Sequence, residues 1–182
     1  PDSETVDQEF GHRIVARNDG RSVVISAPGK GQGEIQFLFR SSSAAGTLLQ
    51  TQLTGTMTDN DDNTSRLGDS LSMSTDENFV VAGAPFTNTI GLDGSTRQLN
   101  SGLLKIYVWD PATFKYGLLE TVTPPTDGSS ANEGLNFGWA HKISEPTLSS
   151  VRSTAQKYLF VSAPGHDSDT GRVYMYTWGI GA

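Results

Sequence analysis

The chain contains no cysteine, so disulfides and thiolate metal sites are excluded and the redox compartment leaves no trace in it. Lys and Arg never cluster. The 13 of them are scattered against 20 Asp and Glu, for a formal charge of −7. Nucleic-acid binding needs a basic stripe, so that class of partner is excluded. No apolar stretch approaches the ~20 residues that carry a helix across a bilayer, which argues against membrane insertion. No helix-period stretch with caps is present. The many serines include no nucleophile-elbow motif, no Ser-His-Asp set has supporting context, and there is no phosphate loop, so an enzyme is not expected. The chain starts at Pro1 rather than Met, which reads as Met removal or as a processed or excised piece.

What is present is a phrase stated three times. It reads Phe10-Gly11 to Ile25-Ser26-Ala27-Pro28, then Leu67-Gly68 to Ala82-Gly83-Ala84-Pro85, then Phe137-Gly138 to Val161-Ser162-Ala163-Pro164. In the first two copies the apolar lead residue and the proline are 18 positions apart. A second phrase follows each: Gly33 to Phe39, Gly102 to Trp109 and Gly171 to Trp178. After the glycine, apolar residues recur at every second place, the period of a strand. Copies two and three carry large groups on both faces, which predicts sheets covered on both sides.

Each unit reads as four antiparallel strands. Unit one takes residues 10–17, Ser22–Ser26, Glu34–Arg40 and Thr47–Thr54, with a hairpin turn at Asn18-Asp19-Gly20. Unit two takes Asp69–Ser74, Phe79–Ala82, Leu103–Trp109 and Gly117–Val122, turning first at Asp76-Glu77-Asn78. Unit three takes Trp139–Ser144, Tyr158–Ser162 and Arg172–Trp178, with its first hairpin nine residues longer and its fourth strand absent. Repeating four-stranded units predict an all-β fold of β-propeller blades. The expected blades are about 10–55, 67–123 and 137–182, in one segment spanning 1–182. Three blades, the last incomplete, do not close a ring. Open blade edges are templates for further strands, so the expected partners are other copies or the remaining blades of a longer chain.

These residues resemble the FG-GAP repeat, the blade unit of integrin α-subunit propellers and of many surface proteins. Phe10-Gly11, Phe137-Gly138 and Gly83-Ala84-Pro85 match its motifs. Leu67 stands where the motif has Phe, and Ser26 and Ser162 stand where it has Gly. Arg66 to Ser74 with Val80 to Pro85 also looks like the degenerate repeats of microbial and algal surface proteins. The resemblance implies a propeller used for adhesion or recognition, outside the cell or on its surface. Family blades often hold calcium in the first hairpin. Here Arg17-Asn18-Asp19-Gly20 and Thr75-Asp76-Glu77-Asn78 offer too few oxygens for calcium's roughly six to eight ligands. Asp19 and Asp76 therefore read as turn formers, and neither a metal nor a cofactor is expected.

Strand alternation puts the loops between strands two and three on the same rim as those between blades. That rim carries the long polar loops and is the predicted recognition face. Its candidate ligand-binding residues are Asp59, Asp61 and Asp62 in an acidic linker, Asp93 and Arg97 near a turn, and His166, Asp167 and Asp169 in one loop. Asn63 heads the sequon Asn63-Thr64-Ser65, a candidate glycosylation site. His12 and His141 follow the apolar-Gly pair at related positions and read as packing or hydrogen-bonding residues. The expected role is a non-catalytic structural or adhesive surface module. Alternatives are a glycan- or protein-recognising propeller, a virion fibre or decoration protein, and a propeller attached to a hydrolase elsewhere in a longer chain.

Overall fold

In this computed structural model the described residues are 8–18, 22–39, 55–56, 65–90, 97–113, 115–125, 134–144 and 157–178. They form three antiparallel blades in chain order. Blade 1 holds β1 (Ile14–Ala16), β2 (Ser22–Ala27), β3 (Glu34–Phe39) and β4 (Gly55–Thr56), ordered β1-β2-β3-β4. Blade 2 opens with β5 (Ser70–Met73) and β6 (Phe79–Ala84). A small ribbon, β7 (Thr89–Ile90) with β8 (Arg97–Gln98), follows before β9 (Leu103–Asp110) and β10 (Lys115–Val122) complete the sheet. Blade 3 holds β11 (His141–Ser144), β12 (Lys157–Ala163) and β13 (Arg172–Trp178). A short helical turn, α1 (His166–Asp169), joins the last two.

The β-propeller blades expected from the repeats are therefore present, and they do not close on themselves. The expected strand at Thr47–Thr54 and the turn at Asp19-Gly20 lie outside the described residues. The ribbon β7–β8 falls inside what reads in the sequence as a plain loop, because two-residue strands leave no periodic signal.

The repeated phrase folds into a repeated turn. Glu9, Arg66 and Asn136 all take positive φ, at 51°, 55° and 52°, and Gly11, Gly68 and Gly138 follow at 89°, 95° and 89°. The residue after each glycine donates its N–H back to the left-handed residue: His12 to Glu9, Asp69 to Arg66 and Trp139 to Asn136. The glycine N–H donates to the carbonyl just before Ala-Pro, at Ser26, Gly83 and Ser162. A φ near 90° is open to glycine and strained for any other residue, which is why the pair is apolar-Gly each time.

Between blades the contact repeats as well. Leu67 N–H donates to Gln32 C=O, and Phe137 N–H donates to Ser101 C=O, each at 3.0 Å. The adjacent glycines leave room for this. A Cβ on Gly33 would lie 2.1 Å from Leu67 N, and one on Gly102 would lie 2.1 Å from Phe137 O. Two apolar cores result. Val24, Ile35 and Phe37 of blade 1 meet Leu67, Val80, Ala82 and Tyr107 of blade 2. Val81, Leu104 and Ile106, on the other face of blade 2, meet Phe137, Ile143, Leu159 and Val161 of blade 3. Blade 2 is covered on both faces, as its sequence predicts. Blade 3 is not: its outward face, with Val173 and Met175, is exposed. That corrects the expectation of two covered faces. The described residues hold no fourth blade to cover it.

Candidate functional site

Strand β5 packs against β1 on one side and β11 on the other, so the first strands of the three blades run side by side. The turns that precede these strands meet on one rim. Together with Phe86, in the loop after β6, they enclose an open pocket of about 500 Å³, lined by His12, Arg13, Arg66, Asp69, Phe86 and Trp139. The pocket lies on the loop rim that strand alternation marks as the recognition face.

Its charged residues form one network. Arg66 donates from Nη1 and Nη2 to the two carboxylate oxygens of Glu9, at 2.9 and 2.7 Å. The same Nη2 donates to Asp69 Oδ1 at 3.0 Å. His12 stands between the acids, with Nδ1 3.5 Å from Glu9 and Nε2 3.5 Å from Asp69. Arg13 Nε donates to the Asp69 carbonyl at 3.0 Å. The hydrogen bond from Arg66 holds the Glu9 carboxyl below the usual carboxylate range, and the paired acids push the Arg66 guanidinium further up. Beside this network Phe86 and Trp139 meet edge to face at 5.7 Å, and Trp139 is 50 % exposed.

Glu9, His12 and Asp69 bring three possible metal-ligand atoms within 4.8 Å of one another. The Arg66 guanidinium, however, already lies between the two acids. A fixed positive charge there opposes a cation, and both carboxylates already accept charge-assisted hydrogen bonds from it. The arrangement suits fixed donors and acceptors beside an aromatic face, which is the chemistry that grips a polyhydroxylated ligand.

The sequence-predicted candidates sit elsewhere. Asp59, Asp61, Asp62 and Asp93, with the glycosylation candidate Asn63, lie outside the described residues. Arg97 is exposed on β8. His166 is buried and packs edge to face with Tyr174. Asp167 and Asp169 flank it in the α1 turn with positive φ and face solvent. None of these described residues lines the pocket. His12 and His141 are not equivalent, contrary to expectation. In the repeat His12 matches Asp69 and Trp139, whereas His141 lies on β11. There its Nδ1 sits 2.8 Å from Ser72 Oγ on β5, and its Nε2 is buried without a hydrogen-bond partner. Burial pushes the His141 imidazole down to about 4, against the smaller opposing pull of the Ser70 backbone carbonyl as an acceptor.

Apart from Phe86, which follows Ala84-Pro85, the pocket residues carry a signal in the sequence: they flank the apolar-Gly pair. Glu9 and Arg66 hold one repeat position with opposite charge, and His12, Asp69 and Trp139 hold another. Attention to the apolar pair alone passes over them.

The other rim ties the blades together. Arg17 pairs with Glu77 at 2.8 Å between blades 1 and 2, and Lys157 pairs with Asp76 at 2.7 Å between blades 2 and 3. Asp76 also accepts from Ser74 Oγ and the Asn78 N–H. Burial pushes its carboxyl up, but these hydrogen bonds outweigh that and hold it below the usual range. Asp76 thus shapes the turn.

No protein-family model matches the chain, and no curated protein matches it. Among solved structures it is similar to a periplasmic gluconolactonase of Pseudomonas aeruginosa, at 15% identity and a TM-score of 0.43. That match covers 93% of this chain and 39% of the other, so the chain spans well under half of that protein's length. That protein is an enzyme, contrary to the expectation stated for this chain. Missing sequence motifs do not exclude catalysis when a site is assembled from separate blades. Among the described residues no helix is long and apolar enough to cross a membrane.

Proposed function

We propose that the chain is a surface-exposed, extracellular adhesive and structural module of FG-GAP-type blades, whose axial pocket captures a neutral glycan. One observation carries the reading. The Glu9-His12-Arg66-Asp69 network stands beside an exposed Trp139–Phe86 pair, where the turns of three blades converge. The aromatic face would stack on a sugar ring, and the fixed ionic groups would exchange hydrogen bonds with its hydroxyls. Arg66 is neutralised by its two acids, which favours an uncharged sugar over an anionic one.

The test is a tryptophan-fluorescence and NMR titration with chitotriose, cellotriose and a uronate trisaccharide as probes. Saturable binding of a neutral probe is expected. Trp139→Ala should weaken it by about tenfold or more, the equivalent of ~1.4 kcal/mol. Binding that Trp139→Ala leaves unchanged, or no binding of any probe, overturns the reading.

The open faces of the outer blades favour the structural half of the role, because each exposes apolar surface that its counterparts bury.

A further inference from the structure

The two interfaces between blades are built from the same positions, and the third instance of those positions is open. On the receiving face, Val24, Ile35 and Phe37 of blade 1 correspond in the repeat to Val81, Leu104 and Ile106 of blade 2. All six are buried under the following blade. Their counterparts in blade 3 are Phe160, Val173 and Met175, exposed by 39 %, 67 % and 61 %. On the inserting side, Leu67 and Phe137 are fully buried, each seated on the preceding blade, and their counterpart Phe10 is 57 % exposed. The backbone follows the same rule. Leu67 N–H and Phe137 N–H donate to the carbonyls before Gly33 and Gly102. The equivalent acceptor is the Thr170 carbonyl, before Gly171. A Cβ on Gly33 or Gly102 would strike the inserted residue, whereas one on Gly171 would meet nothing nearer than Pro164 O at 3.5 Å. Gly171 keeps the positive φ of the other two, at 75° against 100° and 80°.

We infer that the outward face of blade 3 docks the Phe10-Gly11 turn of a second copy of this chain, head to tail. Phe10 then covers Phe160, Val173 and Met175, and its N–H donates to the Thr170 carbonyl of the receiving copy. The occupant is argued from the chain's own interfaces. Each copy exposes one inserting turn and one receiving face of a contact it already makes twice internally. Such a contact is heterologous, so it builds rings if the rotation closes and filaments if it does not. The contact uses blade faces, where the sequence pointed to strand edges. It rests on the assembly half of the proposed role and is independent of ligand capture.

The test uses two blocked variants of the full chain. Phe10→Asp disables the inserting turn and Met175→Asp disables the receiving face. Both positions are exposed, and circular dichroism checks that each variant folds. By sedimentation velocity and light scattering, the wild-type mass should rise with concentration from the 19.5 kDa of one chain. Each variant should stay at one chain mass. A 1:1 mixture of the two should form a species of twice that mass and nothing larger, because one open turn meets one open face. Rings and filaments of the wild type both support the inference. Val173→Lys serves as a second block of the receiving face should Met175→Asp fail to fold. A wild type that stays at one chain mass, variants that still assemble, or a mixture that forms no dimer each overturn it. Trp139→Ala should assemble like the wild type, so loss of assembly and loss of ligand capture read separately.

Discussion

Blade 2 and blade 3 are written with the same phrase and meet different surroundings. Blade 2 has Leu67 seated on Gly33 and Phe137 seated on its own Gly102, so both faces are covered. Blade 3 offers Gly171 and an apolar face to solvent. The difference teaches that the repeat encodes half an interface at a time. A unit specifies an inserting turn and a receiving face, and stability comes when a neighbour supplies the other half. The largest expected effects therefore separate positions that share a place in the repeat and differ only in having a neighbour. Phe137→Ala should cost about 3–5 kcal/mol, from lost burial and the cavity left behind. Phe10→Ala, measured on the dilute chain, should stay within about 0.5 kcal/mol. Urea unfolding of both variants checks this, and equal losses would erase the distinction between filled and open positions.

The glycines sharpen the same contrast. Gly102→Ala and Gly171→Ala both place a side chain at positive φ, at about 1–2 kcal/mol each. Only Gly102→Ala also drives a Cβ into the Phe137 backbone, which adds about 1–3 kcal/mol of overpacking. Thermal unfolding of the two variants should show Gly102→Ala as the less stable. In self-association, Gly171→Ala should weaken assembly by crowding the seat for Phe10.

The interface between blades 2 and 3 also holds a buried imidazole, where the open face of blade 3 has none. The His141 value is depressed in the fold, so the unfolded chain takes up a proton first. Stability is complete above the ordinary value of 6.5 and falls as pH drops from there towards about 4. The loss is at most about 3 kcal/mol, at roughly 1.4 kcal/mol for each tenfold change in proton affinity. Unfolding of the wild type and of His141→Gln at a series of pH values tests this. The variant should lack the wild type's decline between pH 6.5 and 4, and parallel curves would remove His141 from the account.

Much of the fold is legible because period-2 patterning and Gly-Pro punctuation act locally. Ser22 to Ala27, Phe79 to Ala84 and Arg172 to Trp178 are strands in any blade, whatever packs on them. The left-handed conformation of Glu9, Arg66 and Asn136 is not legible. None of the three is glycine, and the shared geometry emerges only when the turns are laid together. The pocket is harder still. Apart from Phe86, its residues come from turns 57 and then 70 positions apart, at 10, 67 and 137. Their convergence depends on β1, β5 and β11 lying side by side. His166 shows the converse. A His beside two acids reads as a ligand set, yet the α1 turn buries the ring against Tyr174. The polarity of a loop says nothing about which of its side chains turns inward.

The smallest expected effect on stability separates the two rims. Arg66 and Glu9 are both partly exposed, and ion pairs of that kind contribute about 0–1 kcal/mol. Arg66→Met should therefore lower the unfolding free energy by less than about 1 kcal/mol. The Glu9 carboxyl would lose the hydrogen bond that depresses it and return towards the ordinary range, so it should titrate at higher pH in the variant. A carboxyl depressed in the fold stabilises above its unfolded value and stops doing so as pH falls through the folded one. The variant should thus lose a small part of the wild type's acid-side decline. NMR titration of Glu9 with and without Arg66 measures this directly. An unchanged Glu9 titration would mean that the network at the pocket does not persist in solution. A raised one with stability nearly intact would mark this rim as built for contact with a ligand, in contrast to the blade interfaces that hold the fold.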